Sequence, residues 1–125
     1  MKDFKQLDFW IKAQALALEI YKATKALPAD ERFGLTQQLR RSAVSITSNI
    51  AEGCGRGGDA DFNRCLQIGF GPACESESQL LLARDLGYLD GATFNAVEEL
   101  LVEVKKMLAA LIVKIRADIA ARAKS

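Results

Sequence analysis

The residues able to do chemistry are few. The 125-residue chain has no His, three Cys, and sixteen Asp and Glu against seventeen Lys and Arg, a formal net charge of +1. Without His it lacks the commonest general base, the commonest metal ligand and the only side chain whose unperturbed pKa lies near neutrality. The thiols Cys54, Cys65 and Cys74 are odd in number and form no CxxC, which fits neither a disulfide framework nor a zinc site. They read as buried free thiols of a reducing cytosol, packed as small hydrophobes. Cys54, near Arg56, is the one candidate nucleophile, because a thiolate without His needs a cation or a helix N-terminus beside it.

Three other constellations invite chemistry. The run GCGRGGD at 53–59 has the glycines of a phosphate loop but no Lys-Ser/Thr after them and no strand before them, so it reads as a turn. Glu75 and Glu77 are two apart and point to nearly opposite sides of a helix, which rules out a paired-carboxylate acid and base. Glu75 falls in line with Cys65, Ile68, Leu82 and Leu86, and a carboxylate in an apolar row is costly unless paired. Arg40 or Arg41 is its natural partner. Together with Ser45, Asn49 and Glu52 these residues predict a buried, mutually hydrogen-bonded polar cluster where the second and third helices meet, with Glu77 exposed. The basic groups late in the last helix and the acids early in it follow the helix dipole and need no ligand.

The elements that position these residues are helical. Apolar residues recur in threes and fours over four stretches. The first, about residues 8–27, carries Phe9, Ala13, Leu16, Ile20, Ala23 and Leu27, with Asp8 as N-cap and Pro28 as its stop. The second, beginning within 30–36 and ending near Gly53, carries Leu35, Leu39, Ala43, Ile46 and Ile50. The third opens at Asp59 or Asp61 and carries Phe62, Leu66, Gly69, Ala73, Ser76, Leu80 and Ala83, its small residues allowing a close helix approach. Pro72 predicts a kink there. The fourth, capped by Asp90, carries Phe94, Val97, Leu101, Val104, Leu108, Leu111 and Ile115. The expectation is one all-α domain over 1–125, an antiparallel up-down-up-down four-helix bundle with its third helix kinked near Pro72. Leu100, Val102, Met107, Ile112 and Val113 lie outside the main stripe of the fourth helix and predict cover by a partner subunit. The N-terminus has no signal-peptide core and no apolar run spans a bilayer, so the chain reads as soluble and cytoplasmic.

The stretches LTQQLRRSAVSITSNIAEGCGR (35–56), GPACESESQL (71–80) and LGYL (86–89), with KQLDFWIKAQALALEIYKATKALP (5–28), resemble the 23S rRNA intervening-sequence proteins. Thr47, Cys54 and Pro72 stand where that family usually has Pro, an aromatic and Ser. The resemblance implies a small cytosolic four-helix bundle assembling as a ring-like homopentamer, with no established enzymatic activity. Similar accessory proteins of diversity-generating retroelements form basic pentamers that bind nucleic acid.

The function expected from all this is a non-enzymatic, self-assembling scaffold or interaction protein with no catalytic residue, cofactor or metal. The alternative is a nucleic-acid-binding accessory protein, with Arg40, Arg41, Arg56 and Arg64 forming a basic patch at one bundle end that a homo-oligomeric ring repeats.

Overall fold

Leu, Ile and Ala at helical spacing build four helices, and the computed structural model describes residues 3–124 of the chain. They are α1 (Asp8–Ala23), α2 (Leu35–Gly55), α3 (Asp59–Asp85) and α4 (Gly91–Ala123), with single 3₁₀ turns at Phe4–Gln6, Thr24–Ala26 and Ala29–Glu31. No strand occurs among the described residues. The protein is an all-α four-helix bundle.

Contacts between neighbouring helices pair early residues of one with late residues of the next. Ser42 meets Ser76 while Gly53 abuts Phe62, so α2 and α3 run antiparallel. Lys105 meets Glu77 while Arg122 meets Asp59, and Lys12 meets Glu103 while Lys22 lies by Ala92, which sets α4 antiparallel to both α3 and α1. The diagonal helices meet only through side chains such as Phe9 and Phe62, whose ring centroids are 6.2 Å apart. The apolar stripes all face the common core: those of α2 and α3 are buried throughout, and in α1 and α4 only Phe9 and Leu111 stay half-buried.

The helix ends differ from expectation in instructive ways. Asp8 is the first residue of α1 rather than its cap, which is Leu7, and α1 gives way at Thr24 to a 3₁₀ turn before Pro28. α2 continues to Gly55, so only residues 56–58 are left to turn into α3, which Gly58 rather than an Asp side chain caps. Gly53 is used for space, not for backbone freedom: a Cβ there would lie 2.8 Å from Phe62 Cδ1. The one glycine among the described residues that needs a left-handed backbone is Gly87, at φ +78. It ends α3 with Gly87 N donating to Arg84 O (2.9 Å) and Tyr88 N to Ala83 O (3.0 Å), a complete Schellman motif. Asp90 caps α4 as expected, accepting from Thr93 N at 2.7 Å, and this bond holds its carboxyl below the ordinary value.

α3 continues through Pro72 without interruption. Proline deprives the Ile68 carbonyl of its donor, and Ile68 is an exposed position where water can replace it.

Candidate functional site

The structure does not assemble the expected polar cluster. Of Arg40, Arg41, Ser45, Asn49, Glu52 and Glu75, only Ser45 and Asn49 bond to each other: Asn49 Nδ2 donates to Ser45 O at 2.8 Å and to Ser45 Oγ at 3.3 Å, both residues half-buried. Arg41, Glu52 and Glu75 are exposed. Glu52 accepts from Arg56, just past the end of its helix, at 2.8 Å, which raises the guanidinium above its ordinary value. Glu75 has no hydrogen-bond or ion-pair partner among the described residues. The physical reason is helical phase. The buried row of α3 includes Ser76, and Glu75 is rotated from it by about 100°; the row Ile68, Glu75, Leu82, Leu86 points away from the protomer's core.

Glu77, expected to be exposed, is the paired acid. Lys105 Nζ donates to its Oε1 at 2.7 Å, and both side chains are mostly covered. This hydrogen bond is the first reason the Lys105 ammonium is held above its ordinary 10.5. A raised lysine pKa stabilises the fold in full below the ordinary value, and the contribution disappears as pH rises through the raised one. Glu77→Ala is therefore expected to cost about 0.5–1 kcal/mol at neutral pH and less above pH 10.5, whereas Glu75→Ala shifts the protomer's stability by less than about 0.5 kcal/mol. Thermal denaturation of the two variants across pH checks the order.

Of the buried hydroxyls at the α2–α3 seam, Ser76 was expected in the core stripe of α3, whereas Ser42 was passed over. Ser42 Oγ lies 2.8 Å from Ser76 Oγ and donates to Gln79 Oε1 at 3.0 Å and to Leu39 O at 3.2 Å, one hydroxyl hydrogen serving alternative acceptors. The signal was present, since Ser42 stands three after Leu39 and four before Ile46, inside the apolar stripe. Two thiols, Cys54 and Cys65, are buried as expected, whereas Cys74 is exposed. Burial also removes Cys54 from the position of an accessible nucleophile.

The four arginines expected to share one bundle end lie in two separate grooves, because Arg41 stands in the second turn of α2 and Arg56 just past its other end, about 20 Å along the helix. Arg56 and Arg64 line a groove with Glu52, Asp61 and Ile68, so its charge is mixed. Arg40 and Arg41 line an open groove of about 400 Å³ at the N-terminal end of α2, with Tyr21, Arg32 and Phe33. There Arg40 is held firmly: Nε donates to Thr24 Oγ1 at 2.9 Å, Nη2 to Tyr21 O at 3.3 Å, and the guanidinium stacks 4.7 Å from the Tyr21 ring centroid. Arg32 stacks 5.2 Å from the Phe33 ring. The turn that carries them is tied down by Glu31, which accepts from Leu35 N at 3.3 Å and from Tyr88 Oη at 3.0 Å; that bond raises the Tyr88 phenol above its ordinary value. Arg32, Phe33 and Tyr21 were not foreseen as a group because they lie on three different segments.

The sequence profile of the 23S rRNA-intervening sequence proteins matches residues 5–110. The chain belongs to that family. Among solved structures, a similar one is the crystal structure of a protein with unknown function from the S23 ribosomal protein family from Bacteroides thetaiotaomicron. It is 27% identical, superposes with a TM-score of 0.74, and the match covers 83% of this chain and 97% of that one. No curated protein matches the chain. The RRSAVSITSNIAEG segment (40–53) forms most of α2 and packs closely on α3: Gly69 sits under Asn49, where a Cβ would come within 3.2 Å of the Asn49 Cβ. Among the described residues, no helix is long and apolar enough to cross a membrane.

Proposed function

We propose that this family member is a non-enzymatic helical bundle whose function is to assemble with itself into a ring-like scaffold. One observation carries the reading: α1 and α3, diagonal in the bundle, each expose an apolar row, Ile11 and Leu18 on one and Ile68, Leu82 and Leu86 on the other, all about half exposed. A monomer gains nothing from such rows. Two different surfaces on opposite sides make a head-to-tail interface, which closes into a ring or extends into a filament; the family resemblance favours a closed pentamer. The α4 surface is the poorer candidate, for Ile112 is buried, Leu100, Val102 and Met107 are half-buried, and only Val113 is exposed. The non-enzymatic part is supported by the carboxylates, none of which is buried, and by the absence of His from the sequence. A cytoplasmic location agrees with three free thiols. A second reading, nucleic-acid binding, draws support from the arginine groove at the start of α2.

Size-exclusion chromatography with light scattering tests the assembly. The protein is expected to elute as a multiple of 13.6 kDa. Leu18→Asp and Leu82→Asp are each expected to give monomers, and mixing the two to give dimers, since one intact face of each kind remains. A wild-type monomer at micromolar concentration overturns the reading.

A further inference from the structure

We infer that the groove at the start of α2 binds a nucleotide unit, with the base stacked on Phe33 and the phosphate held by Arg32 and Arg41 beside the fixed Arg40. This goes beyond self-assembly and narrows the nucleic-acid reading to one groove and one ligand unit.

Three features converge on that chemistry. The groove is lined by three arginines and no acid, whereas the groove at the other end of α2 sets Glu52 and Asp61 against its two. None of the three pairs with a carboxylate among the described residues. Arg40 spends two of its five N–H donors on Thr24 and Tyr21 and so arrives oriented with three to spare. Phe33 is 78% exposed, the most exposed large apolar side chain among the described residues. It contributes little to the core; Arg32 lies over its ring at 5.2 Å, and the remaining exposed ring surface is one on which any base can stack. The first turn of α2 contains no acid of its own, and its residues Thr36 and Gln37 line the groove; Glu31, which accepts from Leu35 N at the helix start, is not among the lining residues. Exposed arginine and phenylalanine without an anionic partner suit a ligand that is both planar and negatively charged. The groove is complete within one protomer, so a ring would repeat it.

The test is fluorescence anisotropy of a short labelled oligouridylate at low salt, with UMP and inorganic phosphate as competitors. The strand is expected to bind, with affinity falling as salt rises at a log–log slope of about −2 for three phosphate-facing arginines. Phe33→Ala is expected to weaken binding at least about fivefold without changing the slope, because stacking is not electrostatic. Arg32→Glu with Arg41→Glu is expected to weaken it at least about tenfold and flatten the slope. Arg56→Glu with Arg64→Glu makes the same change in net charge and is expected to leave affinity within about twofold. These side chains are exposed, and unchanged thermal midpoints verify folding. Competition by UMP but not by phosphate assigns the site to nucleotides free or in a strand; no competition by UMP, with the variant pattern intact, assigns it to nucleotides within a strand. The proposal is overturned by no binding of strand or UMP, by equal loss from the Arg56 and Arg64 pair, by phosphate competing as well as UMP, or by Phe33→Ala changing oligomer mass while binding persists.

Discussion

Leu80→Ala is expected to lower the stability of the bundle by about 3–5 kcal/mol, while Leu82→Ala, two residues along the same helix, changes the protomer's stability by no more than about 0.5 kcal/mol. Leu80 is 1% exposed and belongs to the core that all four helices share; Leu82 is 51% exposed on the outer row of α3. Removing three buried carbons loses their transfer free energy and leaves a cavity that neighbouring helices, already close-packed, fill only in part. For a domain of this size the Leu80 loss corresponds to a fall in Tm of roughly 10 °C or more. Circular dichroism melts over a range of protein concentrations separate the two effects. Any loss at Leu82 beyond the small protomer effect must shrink as the protein is diluted through its assembly range, since subunit binding stabilises by mass action. Equal, concentration-independent losses at both positions would contradict the placement of α3.

Gly53→Val is expected to cost about 1–3 kcal/mol by overpacking, although a valine in a helix is otherwise preferred to glycine. A Cβ at this position lies 2.8 Å from Phe62 Cδ1, 3.0 Å from Cys65 Cβ and 3.3 Å from the Phe62 carbonyl oxygen. The last two cannot move without moving α3 itself. Phe62 cannot swing aside freely either, because it is buried and packs on Phe9. The control is Gly55→Ala, where nothing lies within 4 Å of the added Cβ and the lower chain entropy of alanine is expected to raise stability by about 0.5–1 kcal/mol. Opposite signs for these two substitutions in chemical denaturation would establish that Gly53 is a contact glycine; losses of the same sign and size would dismiss that role.

The periodic parts of this protein were legible from residue order. The stripes through Leu39, Ile46 and Ile50 or through Leu66, Ala73 and Leu80 name the buried faces correctly, because a 3.6-residue period leaves one face for the core. Asp90 was legible as a cap for a similar reason: the bond that satisfies Thr93 N is local, three residues away. The polar features were harder. Glu75 shares a row with Ile68, Leu82 and Leu86, and apolar neighbours suggested burial. The helix carries two apolar rows, however, and which of them faces the other helices is not a property of the row. Ser42 and Ser76, spaced correctly for the core, meet because α2 and α3 come close over Gly69 and Gly53.

Residue order by itself determined the four helices, their core faces and the family to which they belong, since each depends on spacing within one segment. Tertiary structure decided which cations keep partners and which stay free. Arg56 finds Glu52 four residues back along the chain, but Arg40 turns to α1, and Arg32, Phe33 and Arg41 gather with Tyr21 across a chain reversal. It also decided that Glu77 rather than Glu75 meets a lysine, which required α4 to lie against one side of α3. Charge and hydrogen-bond partnerships act over a few ångströms, and only the packing of distant segments brings their members within that range.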